Sequence, residues 1–191
     1  MATTSTAVSG QSQTKKALLI LDIQDDFTGN NAKMPMDTFQ TNQMIHNLNS
    51  LVTHLDTSAY EIVYIGNEFS KFDFLNIFRN FAAIKGTKGI KQDSRLKIIS
   101  DNYFPKNREN AFSNPSLDVF LKSKSITELF IGGLKAEACV YSTTKGAIKN
   151  GYKVSVLTDC IATTSNRKRD KMLQKYIKAG ANNLSSAILS N

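Results

Sequence analysis

The sequence predicts a three-layer α/β/α sandwich built on a mainly parallel, Rossmann-like sheet of about six strands. Three observations predict it. Short β-rich runs alternate with helical patterns along the chain. The first run, Ala17-Leu-Leu-Ile-Leu21, is apolar without alternation, as a strand covered on both faces must be. The chain has 191 residues with 41% hydrophobic content, which suits one domain with a full core.

The elements follow in order. Ala17–Leu21 is the first strand. From Asn42 to Leu55, the residues Ile45, Leu48, Leu51, Val52 and Leu55 fall on one helical face. Glu61–Ile65 is a second strand, closed by Gly66, and Leu96–Ile99 a third. Pro115–Leu121 is a short helix with Pro at its start, where a missing N–H is harmless. Leu129–Ile131 is a fourth strand, ended by Gly132-Gly133, and a helix then runs from Ala136 to Lys149 and stops at Asn150-Gly151. Tyr152–Leu157 is a fifth strand, Arg167–Lys178 a basic helix, and Asn183–Leu189 a last strand. Phe69 to Gln92 is the least regular stretch, and inserts of this kind at strand C-terminal ends often line a site. Residues 15–191 read as one domain, without repeat or linker. Residues 1–14, rich in Ser, Thr, Gln and Ala, read as a disordered leader.

Composition excludes several classes. The longest apolar run is far short of the roughly 20 residues a membrane span needs, and the leader lacks the apolar stretch of a secretory signal. Two cysteines do not make a disulfide framework and fit a reducing compartment. Together these point to a cytoplasmic protein. The net charge is +8, but the lysines are scattered and do not interleave with aromatics as single-strand binders require, so no nucleic-acid partner is expected. Gly132-Gly133-Leu134-Lys135 lacks the spacing of a P-loop or a dinucleotide fingerprint.

Three chemistry-bearing residues each sit just after a predicted strand: Asp22, Lys106 and Cys139. The C-terminal ends of parallel strands converge on one edge of the sheet, so the three can meet in one crevice. Cys139 follows a Gly-Gly turn into the first turn of a helix, where unpaired N–H groups and the positive dipole end favour a thiolate. An Asp nearby can take the thiol proton and return it to a leaving amine, and the free N–H groups can hold an oxyanion. The competing reading is that Cys139 is a small buried core residue, as free cysteines often are.

These segments resemble the isochorismatase-like cysteine hydrolases, which include nicotinamidases, N-carbamoylsarcosine amidase and isochorismatase. Asp22, Gln24, Asp26 and Phe27 match D-x-Q-x-D-F after a hydrophobic strand. Lys106, Ala111 and Phe112 match K-x-x-x-[ST]-A-F, with Asn110 in place of the hydroxyl residue. Gly133, Cys139 and Val140 match G-x-x-x-x-x-C-V, followed by Thr143 and Ala147 one turn apart. Gly151-Tyr152-Lys153-Val154 with Asp159, and Gly86-Thr87 with Gly89, match further family turns.

The resemblance implies that Cys139 is the nucleophile, Asp22 the general acid/base and Lys106 the supporting cation. It implies an oxyanion hole from the backbone N–H groups of Lys135 and Cys139, with a cis peptide at Leu134-Lys135. It implies a small-molecule substrate cleaved at a C–N bond through a thioester, and a homo-oligomer, dimer or tetramer. Phe27, Glu68, Phe69, Phe112 and Tyr141 flank the motifs and are candidate pocket residues. The chain departs from nicotinamidases at Gly66 to Asp73, which lacks the metal-binding histidines. His46 and His54 lie earlier, on or beside a predicted helix, and read as surface residues. No metal and no cofactor is expected. Two other readings remain open: a vinyl-ether hydrolase of the isochorismatase type, which need not use a cysteine, and a non-catalytic binding protein that keeps the fold. Asp26 and Cys160 read as structural.

Overall fold

The computed structural model describes residues 15–189. Six parallel strands form one sheet in the order β3-β2-β1-β4-β5-β6. They are β1 (Lys15–Leu21), β2 (Tyr60–Asn67), β3 (Tyr103–Lys106), β4 (Ile126–Gly133), β5 (Lys153–Ile161) and β6 (Asn182–Leu184). The helices are α1 (Asp25–Thr28), α2 (Thr38–His54), α3 (Pro115–Ser123), α4 (Tyr141–Lys149) and α5 (Asn166–Lys178). The strand order reverses between β1 and β4, which opens a crevice at their C-terminal ends.

Period-two side-chain alternation splits the core into two layers. Leu18, Ile20, Ile62, Tyr64 and Phe130 face one side, where Met44, Leu48 and Leu51 of α2 cover them. Leu19, Leu21, Val63, Leu129 and Ile131 face the other, under Leu117 and Leu121 of α3, Ala147 of α4 and Met172 and Tyr176 of α5. Burial on both faces is why β1 reads as an unbroken apolar run. Asp37 caps α2, its carboxylate accepting from the Gln40 N–H.

Three expected boundaries are corrected. The third strand is Tyr103–Lys106, not Leu96–Ile99. Tyr64 holds the earlier segment as irregular chain: its hydroxyl donates to the Lys97 carbonyl and accepts from the Ile99 N–H. The true strand hides behind Pro105, which a central strand excludes, but β3 is an edge strand paired only with β2. Gly66 does not close β2, which runs on to Asn67. The last strand ends at Leu184, and Ser186–Leu189 forms a 3₁₀ turn. The expected leader at 1–14 lies outside the described residues. Among the described residues, no helix is long and apolar enough to cross a membrane.

Candidate active site

Each site side chain is delivered by the end of a different strand. Asp22 follows β1 and takes a left-handed backbone conformation, φ 59°, which Asp tolerates better than most residues. Its N–H donates to the Ile65 carbonyl at 2.8 Å and its carbonyl accepts from the Gln24 N–H at 2.9 Å. Lys106 ends β3, and its register partner on β2 is Asn67. Gly133 ends β4 at φ 114°, where a Cβ would stand 2.1 Å from the Leu21 carbonyl oxygen, so only glycine lets β4 close against β1.

After Gly133 the chain passes through a cis peptide at Leu134-Lys135 into a π-helical turn, Ala136–Val140, continuous with α4. Cys139 therefore lies in a widened turn rather than an α-helical one. The Lys135 carbonyl accepts from the N–H groups of Ala138 and Val140 and is stepped over by that of Cys139. The Lys135 N–H itself has no backbone acceptor among the described residues.

The three expected side chains meet. The Lys106 ammonium donates to Asp22 Oδ2 at 2.9 Å, to Asn67 Oδ1 at 2.6 Å and toward Cys139 Sγ at 3.4 Å. Its ion pair with Asp22 is fully buried. The second carboxylate oxygen, Asp22 Oδ1, is buried with no hydrogen-bond partner. A buried polar atom left unpaired needs an explanation, and a proton acceptor is one.

Burial alone would lower the Lys106 ammonium, but the charge of Asp22, and next that of Cys139, leaves it raised and firmly protonated. The surroundings of the thiol work against the thiolate that a helix mouth favours. Burial first, and the Asp22 charge second, push Cys139 up to about 12, against the pull of Lys106. The helix mouth does not by itself make a thiolate, because the sulfur is desolvated and the nearby cation is already paired with a carboxylate.

Above this cluster opens a cavity of about 170 Å³, the size for a molecule smaller than a typical drug. Asp22, Asn67, Leu134, Lys135, Ala138 and Cys139 line it together with Phe27, Met34, Met36, Phe69, Arg79 and Glu109. Of the five expected pocket residues, Phe27 and Phe69 are in place. The other three are corrected. Glu68 turns away and accepts from the Tyr103 hydroxyl at 3.3 Å. Phe112 packs under the sheet, stacked on Tyr152. Tyr141 packs in the same layer, beside Tyr176.

Other motif residues hold the frame. Gln24 clamps β2, its Nε2 donating to the carbonyls of Asn67 and Ile90 and its Oε1 accepting from the Asn67 N–H. Asp26 accepts from the Ala83 N–H at 2.8 Å, a structural acid as expected. Thr143 accepts from the Ala111 N–H, tying the loop after Lys106 to α4. Asn110 caps the next turn by accepting from the Phe112 N–H, and its larger side chain fits because Gly146 on α4 has no Cβ to meet it. Cys160 is fully buried in the core. His46 and His54 are exposed on α2, and Glu68 and Asp73 are held by separate partners, Tyr103 and Arg79. Among the described residues, no three His, Cys, Asp or Glu side chains gather as a metal site would require.

Sequence reasoning missed Asn67, Met34, Met36, Arg79 and Glu109. Only Asn67 left a signal, its place at the end of β2 beside the other strand ends.

Fold and site together define a class: a doubly wound parallel α/β domain with thiol, ammonium and carboxylate gathered at its switch point. Residues 16–188 match the Isochorismatase domain model, and the chain belongs to the isochorismatase family. The structure resembles an isochorismatase-like hydrolase from Alkaliphilus metalliredigens, with a TM-score of 0.84 and 25% identity over 91% of this chain and 96% of that one. The fold also matches N-carbamoylsarcosine amidase from Thermoplasma acidophilum, with a TM-score of 0.78 and 20% identity over 90% of this chain and 96% of that one. The sequence is 24% identical to a ureidoacrylate amidohydrolase from Enterobacter sp. (strain 638) over 75% of this chain and 73% of that protein.

Proposed function

We propose that this protein hydrolyses a C–N bond of a small amide or carbamoyl-type substrate through a thioester on Cys139. The observation that carries the reading is the single buried ammonium of Lys106, within reach of both Asp22 Oδ2 and Cys139 Sγ beneath a small cavity.

The steps follow from that geometry. Substrate enters with its carbonyl carbon toward Sγ. Asp22, through its unpaired Oδ1, takes the thiol proton as sulfur bonds to carbon. The carbonyl oxygen gains negative charge, which the N–H groups of Lys135 and Cys139 stabilise by donating hydrogen bonds to it. Asp22 passes its proton to the nitrogen, the C–N bond breaks, and amine or ammonia leaves. Water then attacks the thioester with Asp22 as base, the C–S bond breaks, and Cys139 recovers its thiol. Lys106 stays protonated throughout and balances the charge on Asp22 and on the departing thiolate. No step calls on a metal or cofactor, and the reaction is expected to survive dialysis against a chelator.

The vinyl-ether reading makes no use of a thiol placed at the cavity base, and the non-catalytic reading makes none of the spare oxygen on Asp22. The test is a panel of small carboxamides and ureido acids, read by ammonia release, with acyl-enzyme trapped by acid quench and mass spectrometry. A turned-over substrate should add its acyl mass to Cys139, and Cys139→Ala should fall to background with its fold intact. Undiminished turnover in Cys139→Ala would sink the reading.

A further inference from the structure

Asn67 sits among the reacting groups, yet the thioester mechanism gives it no task. It is buried and lines the cavity. Its Oδ1 accepts from the Lys106 ammonium at 2.6 Å, and its Nδ2 faces Cys139 Sγ at 4.0 Å. Chemistry forces that orientation of the amide. An ammonium can only donate, so the carboxamide turns its oxygen to Lys106 and, with it, its N–H₂ toward the sulfur.

The backbone of Asn67 is held before any substrate arrives. It ends β2 opposite Lys106 on β3. The Gln24 side chain grips it twice: Nε2 donates to the Asn67 carbonyl at 3.0 Å, and Oε1 accepts from the Asn67 N–H at 2.8 Å. Gln24 is anchored in turn, its Nε2 donating to the Ile90 carbonyl at 2.8 Å. Gly66 leaves room for this clamp, since a Cβ there would stand 2.9 Å from Gln24 Nε2 and 2.4 Å from the Tyr103 hydroxyl. A donor aimed in advance costs no reorganisation at the moment of reaction.

Two jobs follow from the geometry. Lys106 has three N–H groups, and they go to Asp22, Asn67 and Cys139. By taking one of them, Asn67 Oδ1 fixes the rotation of the ammonium and keeps another on Sγ. Nδ2 supplies the second job. A neutral thiol is a weak acceptor, and 4.0 Å is a loose contact. Hydrogen bonds to an ionised acceptor are shorter and roughly twice as strong, so this contact tightens as charge builds on the sulfur. An interaction that is stronger in the transition state than at rest raises the rate without tightening ground-state binding. A carboxylate at this position could do the first job but not the second, because it would repel a thiolate.

We propose that Asn67 serves the reaction directly: it holds the Lys106 ammonium on Cys139 and donates through Nδ2 to the thiolate, both as sulfur attacks and as it departs from the thioester. The proposal rests on the reading of Cys139 as nucleophile.

The experiment reads Cys139 without a substrate. Iodoacetamide alkylation of the full chain is followed from pH 6 to 10, with modified Cys139 counted by peptide mass spectrometry. Asn67→Leu keeps the branched outline and has no polar atom. It should alkylate at least about tenfold more slowly at pH 8, its rate curve displaced upward by about one pH unit. Asn67→Asp keeps both the shape and the acceptor for Lys106, and should be slowed at least as much. It decides the case if Asn67→Leu fails to fold. On a substrate that wild type turns over, kcat should fall about 10²-fold in both variants, while KM stays within about threefold. A merely structural Asn67 would lower the urea midpoint and leave the alkylation curve in place. Wild-type alkylation in Asn67→Leu would overturn the proposal. So would wild-type alkylation in Asn67→Asp, because the acceptor for Lys106 would then be all that residue 67 supplies. Undiminished turnover in Cys139→Ala would overturn it by removing the nucleophile, an outcome told apart because the alkylation curves of the Asn67 variants would still separate from wild type.

Discussion

Two carboxylate–cation pairs sit at opposite ends of the polar machinery, and they are built differently. Asp93 pairs with Arg95 beside α1. Its Oδ1 accepts from the N–H and Nε of Arg95, and its Oδ2 from Arg95 Nη2 and the Thr28 hydroxyl. Every acceptor position is in use, and Arg95 goes on to the Thr28 carbonyl and to Asn42. Asp22 pairs with Lys106 through one oxygen only, and its other oxygen is buried and idle. The first arrangement fastens loops together. The second leaves a carboxylate oxygen buried and unpaired, at a cost to stability that a purely structural pair would not need.

The sharpest way to break the comparison is to remove Lys106. Lys106→Met keeps the volume but leaves Asp22 as a lone buried charge. Stability should fall by about 3–5 kcal/mol in urea titrations, the usual cost of halving a buried pair, and turnover should vanish. Combining Lys106→Met with Asp22→Asn should restore more than half of that stability and none of the activity. If Lys106→Met proves nearly neutral, the pair is not the buried, chemistry-bearing one described.

Asp22→Asn probes the idle oxygen directly, and its two expected effects run in opposite directions. Burial and the Asp22 charge hold the Cys139 thiol up to about 12. Alkylation of Cys139 in the wild type should therefore climb with pH and show no plateau near neutrality. Asp22→Asn removes the negative charge and leaves Lys106, so the thiol shifts down and alkylation at pH 8 should quicken by at least about tenfold. Turnover should disappear in the same variant, because no group then carries the proton to the leaving nitrogen. A wild-type plateau near pH 7, or slower alkylation in the variant, refutes this account of the resting thiol.

The contrast also shows what a sequence discloses. Asp22 and Cys139 were legible because parallel strands must end on one edge, and because the D-x-Q run and Gly133 mark where two of them end; Lys106 was legible from the resemblance of its segment to K-x-x-x-[ST]-A-F, its strand having been expected at Leu96–Ile99. Adjacency to a motif reached Phe27 and Phe69, which line the cavity. Reading apolar runs as strands failed at Leu96–Ile99, where apolar residues imitate a strand, and at Pro105, where an edge position excuses a proline. Glu68, Phe112 and Tyr141 were misplaced because adjacency to a motif does not say which face a side chain takes. Met34, Met36 and Arg79 arrive from irregular loops whose path is set by tertiary contacts, and no periodicity announces them. Nothing in the pattern of residues 72–81 announces that Phe72, Phe74, Phe78 and Phe81 face solvent, as the fold places them.

The smallest expected effect belongs to Asp93. Burial alone would raise its carboxyl, but hydrogen bonds from Arg95 and Thr28 outweigh that and hold it at about 2. An unfolded Asp titrates near 3.9. A carboxyl depressed on folding adds stability that is fully present above the unfolded value and is lost as pH falls toward the folded one. The contribution of Asp93 should thus be whole above about pH 5 and fade between about 4 and 2. Arg95 is partly open to solvent, so the interaction is screened, and Asp93→Asn should cost on the order of 1–2 kcal/mol at pH 7. Other carboxylates titrate in the same window, so the informative quantity is the difference between wild type and variant, measured by urea titration at each pH. That difference should shrink as pH drops from 5 to 2, while activity at neutral pH is little changed, because every oxygen of Asp93 serves the frame and none faces the cavity. A gap between the two proteins that stays constant down to pH 2 would mean that shape, and not the charge of the pair, is what Asp93 supplies.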